Sequence, residues 1–164
     1  MMLNFKILTC TQKDIEILVE TIRKSFQDVA QRFGLTQENA PLHPSNCIDN
    51  WIKADIARGV TYFVMENENK IAGCVACELA SSDICYLERL AVLPDHRQRG
   101  FGKALVNHVL LKARELGASC VSIGIIAEHT ELKNWYRKIG FVEGESKNFL
   151  NLPFRVTFMS YKLE

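Results

Sequence analysis

The chain has 164 residues, of which 48% are hydrophobic and 24% are charged, a composition typical of one globular domain rather than a disordered segment. Its 20 basic and 19 acidic residues give a net charge of +1, whereas a protein that coats nucleic acid carries a clear basic excess. No window approaches the roughly 18 apolar residues that cross a membrane, and the first residues contain no signal-peptide core. We therefore expect a single domain over residues 1–164 in the cytoplasm, with no nucleic-acid and no membrane partner.

Hydrophobic periodicity predicts that strands and helices alternate along the chain. In chain order the predicted elements are a strand at 3–8, helices at 15–33 and 48–59, strands at 60–66, 71–79 and 84–93, a helix at 100–116, a strand at 121–126, a helix at 132–139, a strand that starts at 141 and a last strand at 154–163. A capping box at Thr11–Asp14 opens the first helix, and Gly34 ends it. The helix at 100–116 is expected to bury Ala104, Leu105, Val109 and 111–113. Interleaved strands and helices indicate a mixed α/β sheet.

The six cysteines are expected to be free thiols, because the cytoplasm keeps cysteines reduced. Cys74 and Cys77 form a C-x-x-C pair, a spacing found in zinc and redox sites. Both lie in the predicted strand at 71–79, where side chains three apart face opposite sides of a sheet. No second C-x-x-C and no H-x-x-x-H completes a zinc set. We therefore predict that the pair packs in the core and that the protein has no metal site.

A basic, glycine-containing loop joins the predicted strand at 84–93 to the helix at 100–116. The first turn of a helix leaves amide groups without partners, and the helix dipole adds positive potential there. Gly100 and Gly102 allow the backbone to approach a phosphate closely, because glycine has no Cβ. Arg97, Arg99 and Lys103 add charge that suits a diphosphate. The loop is therefore predicted to bind an anion, and the alternative is an ordinary surface turn that caps a helix.

Two common phosphate-binding motifs are excluded. The P-loop spacing G-x-x-x-x-G-K-[ST] is absent. The dinucleotide fingerprint is absent as well, because the loop has only two glycines and its basic residues precede them.

Three ordered elements resemble the GNAT superfamily of acyl-CoA-dependent N-acyltransferases. Arg97–Gly102 fits the Q/R-x-x-G-x-G/A signature of that superfamily, and Leu87–Pro94 is similar to the strand that precedes the signature. Trp135–Phe141 resembles the later Y-x-K-x-G-F element. The resemblance implies an α/β (α+β) fold with a mixed, mostly antiparallel sheet of about six or seven strands. It also implies a central parallel pair of strands that splay apart, with helices on both faces of the sheet.

The same resemblance implies that acetyl-CoA is the co-substrate, with no metal. The amides of the signature loop would hold the pyrophosphate, and the backbone of the preceding strand would pair with the pantetheine arm. The implied cofactor-binding residues are Leu90, Ala91, Val92, Arg97, Gln98, Arg99, Gly100, Phe101, Gly102, Lys103, His129 and Asn134. The family often has an asparagine at the position of His129. Here the histidine would donate the hydrogen bond, Asn134 would contact CoA instead, or His129 would be a base or only a polar residue at the start of a helix.

The resemblance also implies two catalytic residues. Glu88, on the strand before the loop, is the candidate base, because a carboxylate in a cleft has a raised pKa. The alternatives are a structural glutamate paired with Arg89, Arg97 or another basic residue, and a water relay that serves as the base. Tyr136 is the candidate acid for the departing CoA thiolate. Its alternative role is that of a half-buried aromatic side chain that packs the short helix.

The acceptor of the acetyl group is a primary amine whose identity the sequence leaves open. The acceptor site is expected to involve the segments 26–51 and 145–154, which mix aromatic residues with few acids. A small amine, an amino acid and a peptide terminus all remain candidates. The alternatives to an enzyme are a CoA-binding module that senses acyl-CoA without turnover and a nucleotide-binding protein. Because the family often dimerises, a homodimer is among the expectations.

Overall fold

The computed structural model of the protein describes residues 4–164 as a seven-stranded sheet with helices on both faces. The strands are β1 (Phe5–Thr9), β2 (Thr61–Asn67), β3 (Lys70–Leu79), β4 (Ile84–Val92), β5 (Cys120–Ile126), β6 (Val142–Asn148) and β7 (Arg155–Lys162). Their order across the sheet is β1-β2-β3-β4-β5-β7-β6, and every neighbouring pair is antiparallel except β4 and β5. The predicted mixed sheet with a central parallel pair is therefore confirmed. Leu3, predicted as the first strand residue, lies outside the described residues.

Five α-helices cover the sheet. They are α1 (Ile15–Ser25), α2 (Gln27–Arg32), α3 (Asp49–Ala57), α4 (Phe101–Glu115) and α5 (Thr130–Ile139). Leucines and isoleucines of α1 and α3 form one core cluster with the β2–β3 face that includes Cys74. The buried side of α4 forms a second cluster, which includes Cys77 on the opposite face. The two cysteines therefore face opposite sides of the sheet, as predicted.

The N-terminal helix differs from its prediction in one respect. The capping box is present, since Asp14 accepts a hydrogen bond from the Thr11 amide at 2.8 Å. A 3-10 turn at Gln12–Asp14 then leads into α1. The predicted single helix to Phe33 is wrong, because the backbone at Phe26 leaves the α region (φ −100°, ψ 2°) and separates α1 from α2. The Phe26 ring packs edge-on against His43 at 5.7 Å, a contact with a distant loop that helical periodicity does not reveal.

One predicted core residue of α4 is exposed. Leu105, Val109 and Ala113 are buried as expected, but Leu111 is 53% exposed. Residues four apart lie on one face of a helix, so the face that contains Leu105 and Val109 excludes Leu111. Leu110 fills the core in its place.

Strands β4 and β5 pair only at their beginnings. Ile84–Tyr86 lies beside Cys120–Ser122, and the two strands separate after Tyr86. The edge of β4 that faces β5 is therefore open over residues 87–92. This opening places backbone groups of β4 beside a cleft in the middle of the sheet.

A bulge in β4 follows the point of separation. Ala76 of β3 pairs with Glu88 and Cys74 pairs with Ala91, so two β4 residues stand opposite Val75 alone. Arg89 takes up the extra length with a left-handed backbone (φ 51°). Gly73 permits this close approach, because a Cβ there would collide with the carbonyl oxygen of Ala91. The bulge turns Glu88 and the Arg89 side chain toward the same face of the sheet.

Within residues 4–164, no helix combines the length and the apolar character that a membrane crossing requires.

Candidate active site

A cavity of about 660 Å³ opens where β4 and β5 separate. Its walls are the end of β4, the loop before α4, the C-terminal end of α1 with α2, and the start of α5. Ten of the predicted cofactor-binding residues line it: Leu90, Ala91, Val92, Arg97, Gln98, Gly100, Phe101, Gly102, Lys103 and His129. Arg99 and Asn134 do not. The structure thus brings most of the predicted set together around one cleft.

The loop before α4 presents six consecutive amides without an acceptor. The N–H groups of residues 98–103 have no hydrogen-bond partner within the described residues 4–164, and the first helical amide bonded to a carbonyl is that of Ala104. Gln98 (φ 63°) and Gly100 (φ 81°) are both left-handed, whereas Arg99 between them is not. Alternating hand of this kind turns successive N–H groups toward one point and forms an anion-binding nest. The nest lies at the N-terminus of a 15-residue helix, whose dipole adds positive potential.

Gly102 allows the floor of the nest to pack tightly. A Cβ at this position would lie 3.1 Å from the ring of Trp135, which also lines the cavity. A side chain would push the indole away or narrow the cleft. The glycine of the signature is therefore required by a helix-to-helix contact as well as by access to the amides.

Arg97 has a different role from the one predicted. Its Nε donates to the carbonyl of Val92 at 3.0 Å, and one Nη donates to the carbonyl of Ser25 at 2.7 Å. The other Nη forms an ion pair with Asp28 at 2.5 Å. Arg97 therefore joins the end of β4 to α1 and α2, and its charge is compensated within the protein.

Two further charges line the cavity. Arg32 of α2 forms a two-pronged ion pair with Glu131 at the start of α5. Of the three cations in the lining, Lys103 alone has no ion pair with any residue in the part of the chain that the structure describes. The free positive charge beside the nest is thus that of Lys103, with the exposed Arg99 next to it.

Two buried polar atoms belong to residues of the cavity wall. Ser25 Oγ and His96 Nδ1 are inaccessible to solvent and have no hydrogen-bond partner within residues 4–164. Buried polar groups are nearly always paired in a native protein, so an unpaired one in a cleft is a point where a ligand can bind. The sequence offers no signal for either atom, because each depends on packing between distant segments.

His129 caps α5. Its Nδ1 accepts a hydrogen bond from the Leu132 amide at 3.3 Å, so the proton of the neutral ring lies on Nε2. Burial lowers the pKa of His129, with the Arg32 guanidinium as a further cause. The histidine therefore contributes a neutral donor to the cavity wall. Asn134 instead accepts a hydrogen bond from Arg137 at 3.0 Å on the outside of α5.

Tyr136 is buried, with 4% of its surface exposed, and does not line the cavity. Its ring packs edge-on between Trp135 at 4.9 Å and Phe141 at 5.2 Å. Its hydroxyl has no hydrogen-bond partner among residues 4–164. Burial raises the pKa of Tyr136, so the hydroxyl keeps its proton at any physiological pH. Only the Trp135 side of this ring approaches the cleft.

Glu88 lies two residues after the last β4–β5 pair, at the apex of the opening. It forms no ion pair within the described part of the chain, and its Oε1 is buried without a donor. The structure therefore does not pair it with Arg89 or Arg97. Burial first, and the neighbouring Glu78 carboxyl second, raise the pKa of Glu88 to about 7.

A buried polar cluster lies next to Glu88. Asp55 of α3 accepts hydrogen bonds from Tyr62 at 2.6 Å and from Arg89 at 2.8 Å. The Arg89 guanidinium also lies over the ring of Trp51, at 5.5 Å from its centroid. Sequence patterns did not reveal this cluster, because it joins α3, β2 and β4 through the bulge.

A second cavity, of about 370 Å³, lies between α1 and the start of α3, within the segment predicted to bind the acceptor. It is lined by Val19, Arg23, Cys47, Ile48, Asp49 and Asn50. Arg23 donates to the Cys47 carbonyl at 3.0 Å. The lining mixes charges of both signs with apolar groups, so its composition selects no single class of amine.

Known proteins share this architecture. A putative acetyltransferase from Salmonella typhimurium, solved with its cofactor acetyl-CoA, superposes with a TM-score of 0.75 at 17% identity, covering 98% of this chain and 95% of that one. An uncharacterized N-acetyltransferase of Methanocaldococcus jannaschii is 29% identical over 102 residues, which are 58% of this chain and 45% of the relative. An amino-acid acetyltransferase of Pseudomonas putida is 28% identical over 133 residues, which are 80% of this chain and 28% of the relative. The chain thus spans less than half of the length of these two curated relatives.

The sequence model of the acetyltransferase (GNAT) family matches residues 20–141. This range includes the strand, the nest and the Trp135–Phe141 element that carry the resemblance. Since the match covers well over half of the chain, the protein belongs to the acetyltransferase (GNAT) family.

Proposed function

We propose that this protein is an N-acetyltransferase that moves an acetyl group from acetyl-CoA to a primary amine. The observation that carries the proposal is the run of six unpaired amides at residues 98–103, which opens into the cavity beside the splayed strands. Linked phosphates are the anions that such a nest suits, because several donors converge on one point. The transfer takes place by direct attack in a ternary complex of enzyme, acetyl-CoA and amine.

The residues of the cleft fit acetyl-CoA along its length. The nest and Lys103 would hold the pyrophosphate, and the open edge of β4 at residues 90–92 would pair with the amides of the pantetheine arm. The unpaired Ser25 Oγ and His96 Nδ1 offer further polar contacts. When bound, acetyl-CoA supplies a thioester whose carbonyl carbon an amine can attack.

Two side chains would handle the protons. The acceptor ammonium must lose a proton before its nitrogen can attack, and Glu88 at the apex of the splay is placed to accept it. Its raised pKa brings it near the value that suits a base at neutral pH. The hydroxyl of Tyr136 would donate to the sulfur that departs as the C–S bond breaks.

The acceptor is a small amine, an amino acid or a peptide terminus. The Pseudomonas putida relative is named for amino-acid acetylation, which makes free amino acids the first class to test. We include in the proposal that residues 1–164 act as one domain and that the protein is cytoplasmic. The free thiols of its six cysteines support that location.

The proposal is tested by following release of free CoA thiol from acetyl-CoA in the presence of amino acids, polyamines and short peptides. We expect turnover with at least one of these acceptors, together with micromolar binding of acetyl-CoA measured by calorimetry. Tight binding without turnover across the panel would instead identify a non-catalytic acyl-CoA sensor. Absence of any binding would contradict both functions.

A further inference from the structure

Glu88 and a second glutamate form a carboxyl pair at the edge of the acceptor face. In the β3–β4 ladder Glu78 stands opposite Tyr86, and Ala76 stands opposite Glu88. Glu78 and Glu88 are therefore diagonal neighbours on one face of the sheet, a spacing that long side chains bridge. Their carboxyl groups lie within hydrogen-bonding reach of each other.

A hydrogen bond between two carboxyl groups requires that one of them carries a proton. The surroundings favour the proton on Glu88. Arg58 of α3 forms an ion pair with Glu78, whose side chain is 21% exposed, and so favours the ionised form of Glu78. Glu88, by contrast, has one oxygen buried without a donor. The pKa of Glu78 is lowered, first by its hydrogen bond with Glu88 and also by Arg58.

The charged groups around the pair come from four elements. On α3 they are Asp55 and Arg58; on β2, Tyr62; on β3, Glu78 itself and the thiol of Cys77; and on β4, Arg89. Asp55 forms ion pairs with both arginines and accepts a hydrogen bond from Tyr62. The charges of these two arginines are thus shared between Asp55 and Glu78, which leaves Glu88 without a cation of its own.

We infer that Glu78 is a positioning residue, which orients the Glu88 carboxyl and, by sharing a proton with it, sets the pH at which Glu88 becomes a base. This inference rests on the proposed function, in which Glu88 receives the proton of the acceptor amine. The ionised Glu78 disfavours a second negative charge beside it, as in other pairs of neighbouring carboxyls. Glu88 therefore loses its proton later than a buried glutamate without such a neighbour.

The test is the substitution Glu78→Gln, which removes the charge but keeps the length and the hydrogen-bonding capacity of the side chain. We expect the acid limb of the pH profile of kcat/KM to move down by about one pH unit. The pKa of Glu88, followed by carbon-13 NMR of the carboxyl and assigned through Glu88→Gln, should fall by the same amount. Glu143→Gln is the matched control, because Glu143 is also a strand glutamate paired with an arginine, Arg137, on the distant strand β6. Its profile should not move.

The NMR titration separates this inference from the proposed function. If the pKa of Glu88 is unchanged in Glu78→Gln, the inference is wrong whether or not the enzyme turns over. If the pKa falls but the acid limb stays in place, the coupling is confirmed and Glu88 is not the base. Should the variant fail to fold, the wild-type titration decides, because a proton-sharing pair ionises in two linked steps whereas independent carboxyls do not.

Discussion

Replacing Glu88 with glutamine is expected to lower kcat of acetyl transfer by about 100-fold or more, since a positioned general base contributes about that factor. Wild-type activity should rise with pH through about 7, the pKa to which burial and Glu78 raise this carboxyl, because Glu88 accepts a proton only when ionised. The variant should lose this acid limb. The measurement is the pH profile of kcat with saturating acetyl-CoA.

The matched control is Glu66→Gln on β2, a strand glutamate outside both cavities. It should retain full activity and the wild-type profile. A Glu88→Gln enzyme that keeps wild-type kcat would rule out the carboxylate as base and favour a water relay.

The same substitution has an expected effect on stability. The pKa of Glu88 is about 7 in the folded protein and 4.5 for an unperturbed glutamate. Between these values the folded protein binds more protons than the unfolded chain, so the free energy of unfolding falls as the pH rises. The destabilisation is complete above pH 7 and absent below the unfolded pKa. Glu88→Gln should therefore gain stability relative to wild type at pH 8 but not at pH 4, as measured by urea unfolding.

Replacing Tyr136 with phenylalanine is expected to reduce kcat by about 100-fold, the typical loss when one hydrogen-bond donor to a developing negative charge is removed. The substitution deletes one oxygen from a ring that packs between Trp135 and Phe141, so the core stays filled. Affinity for acetyl-CoA and the midpoint of thermal unfolding should therefore change little. Single-turnover rates together with calorimetric binding would separate these effects.

Tyr161→Phe provides the comparison for Tyr136. Tyr161 packs on the other side of Phe141, at 5.5 Å, and loses the same oxygen on substitution. Its activity should stay within twofold of wild type. Equal activity of the two variants would show that Tyr136 serves only in packing, as its burial permits.

Local patterns were sufficient to predict most of the fold. The capping box at Thr11–Asp14, the run of alternating elements and the two glycines of the loop each act over a few residues, and the structure contains all of them. The break at Phe26 was not predictable in this way. It accompanies a contact with His43, seventeen residues further along the chain, which periodicity within a helix does not encode.

The site shows the same division between local and distant causes. Glycine spacing placed the nest correctly, because a nest consists of consecutive residues. The pairing of Arg97 with Asp28 depends on tertiary contact between segments 69 residues apart. Glu78 had a weak signal, since a charged residue near the end of an apolar strand, one hairpin away from Glu88, predicts a cross-strand neighbour once the register is known.

The most direct test of the account is calorimetric titration of acetyl-CoA into Gly100→Val and Gly117→Val. Both glycines have φ 81°, at the two ends of α4, and a branched side chain strains either backbone alike. Only Gly100 belongs to the nest, where hydrogen bonds to a charged group are each worth about 1.5–3 kcal/mol. We predict that Gly100→Val weakens binding at least about tenfold while Gly117→Val binds like wild type. Equal affinity of the two variants for acetyl-CoA would contradict the claim that the amides of residues 98–103 hold the phosphates.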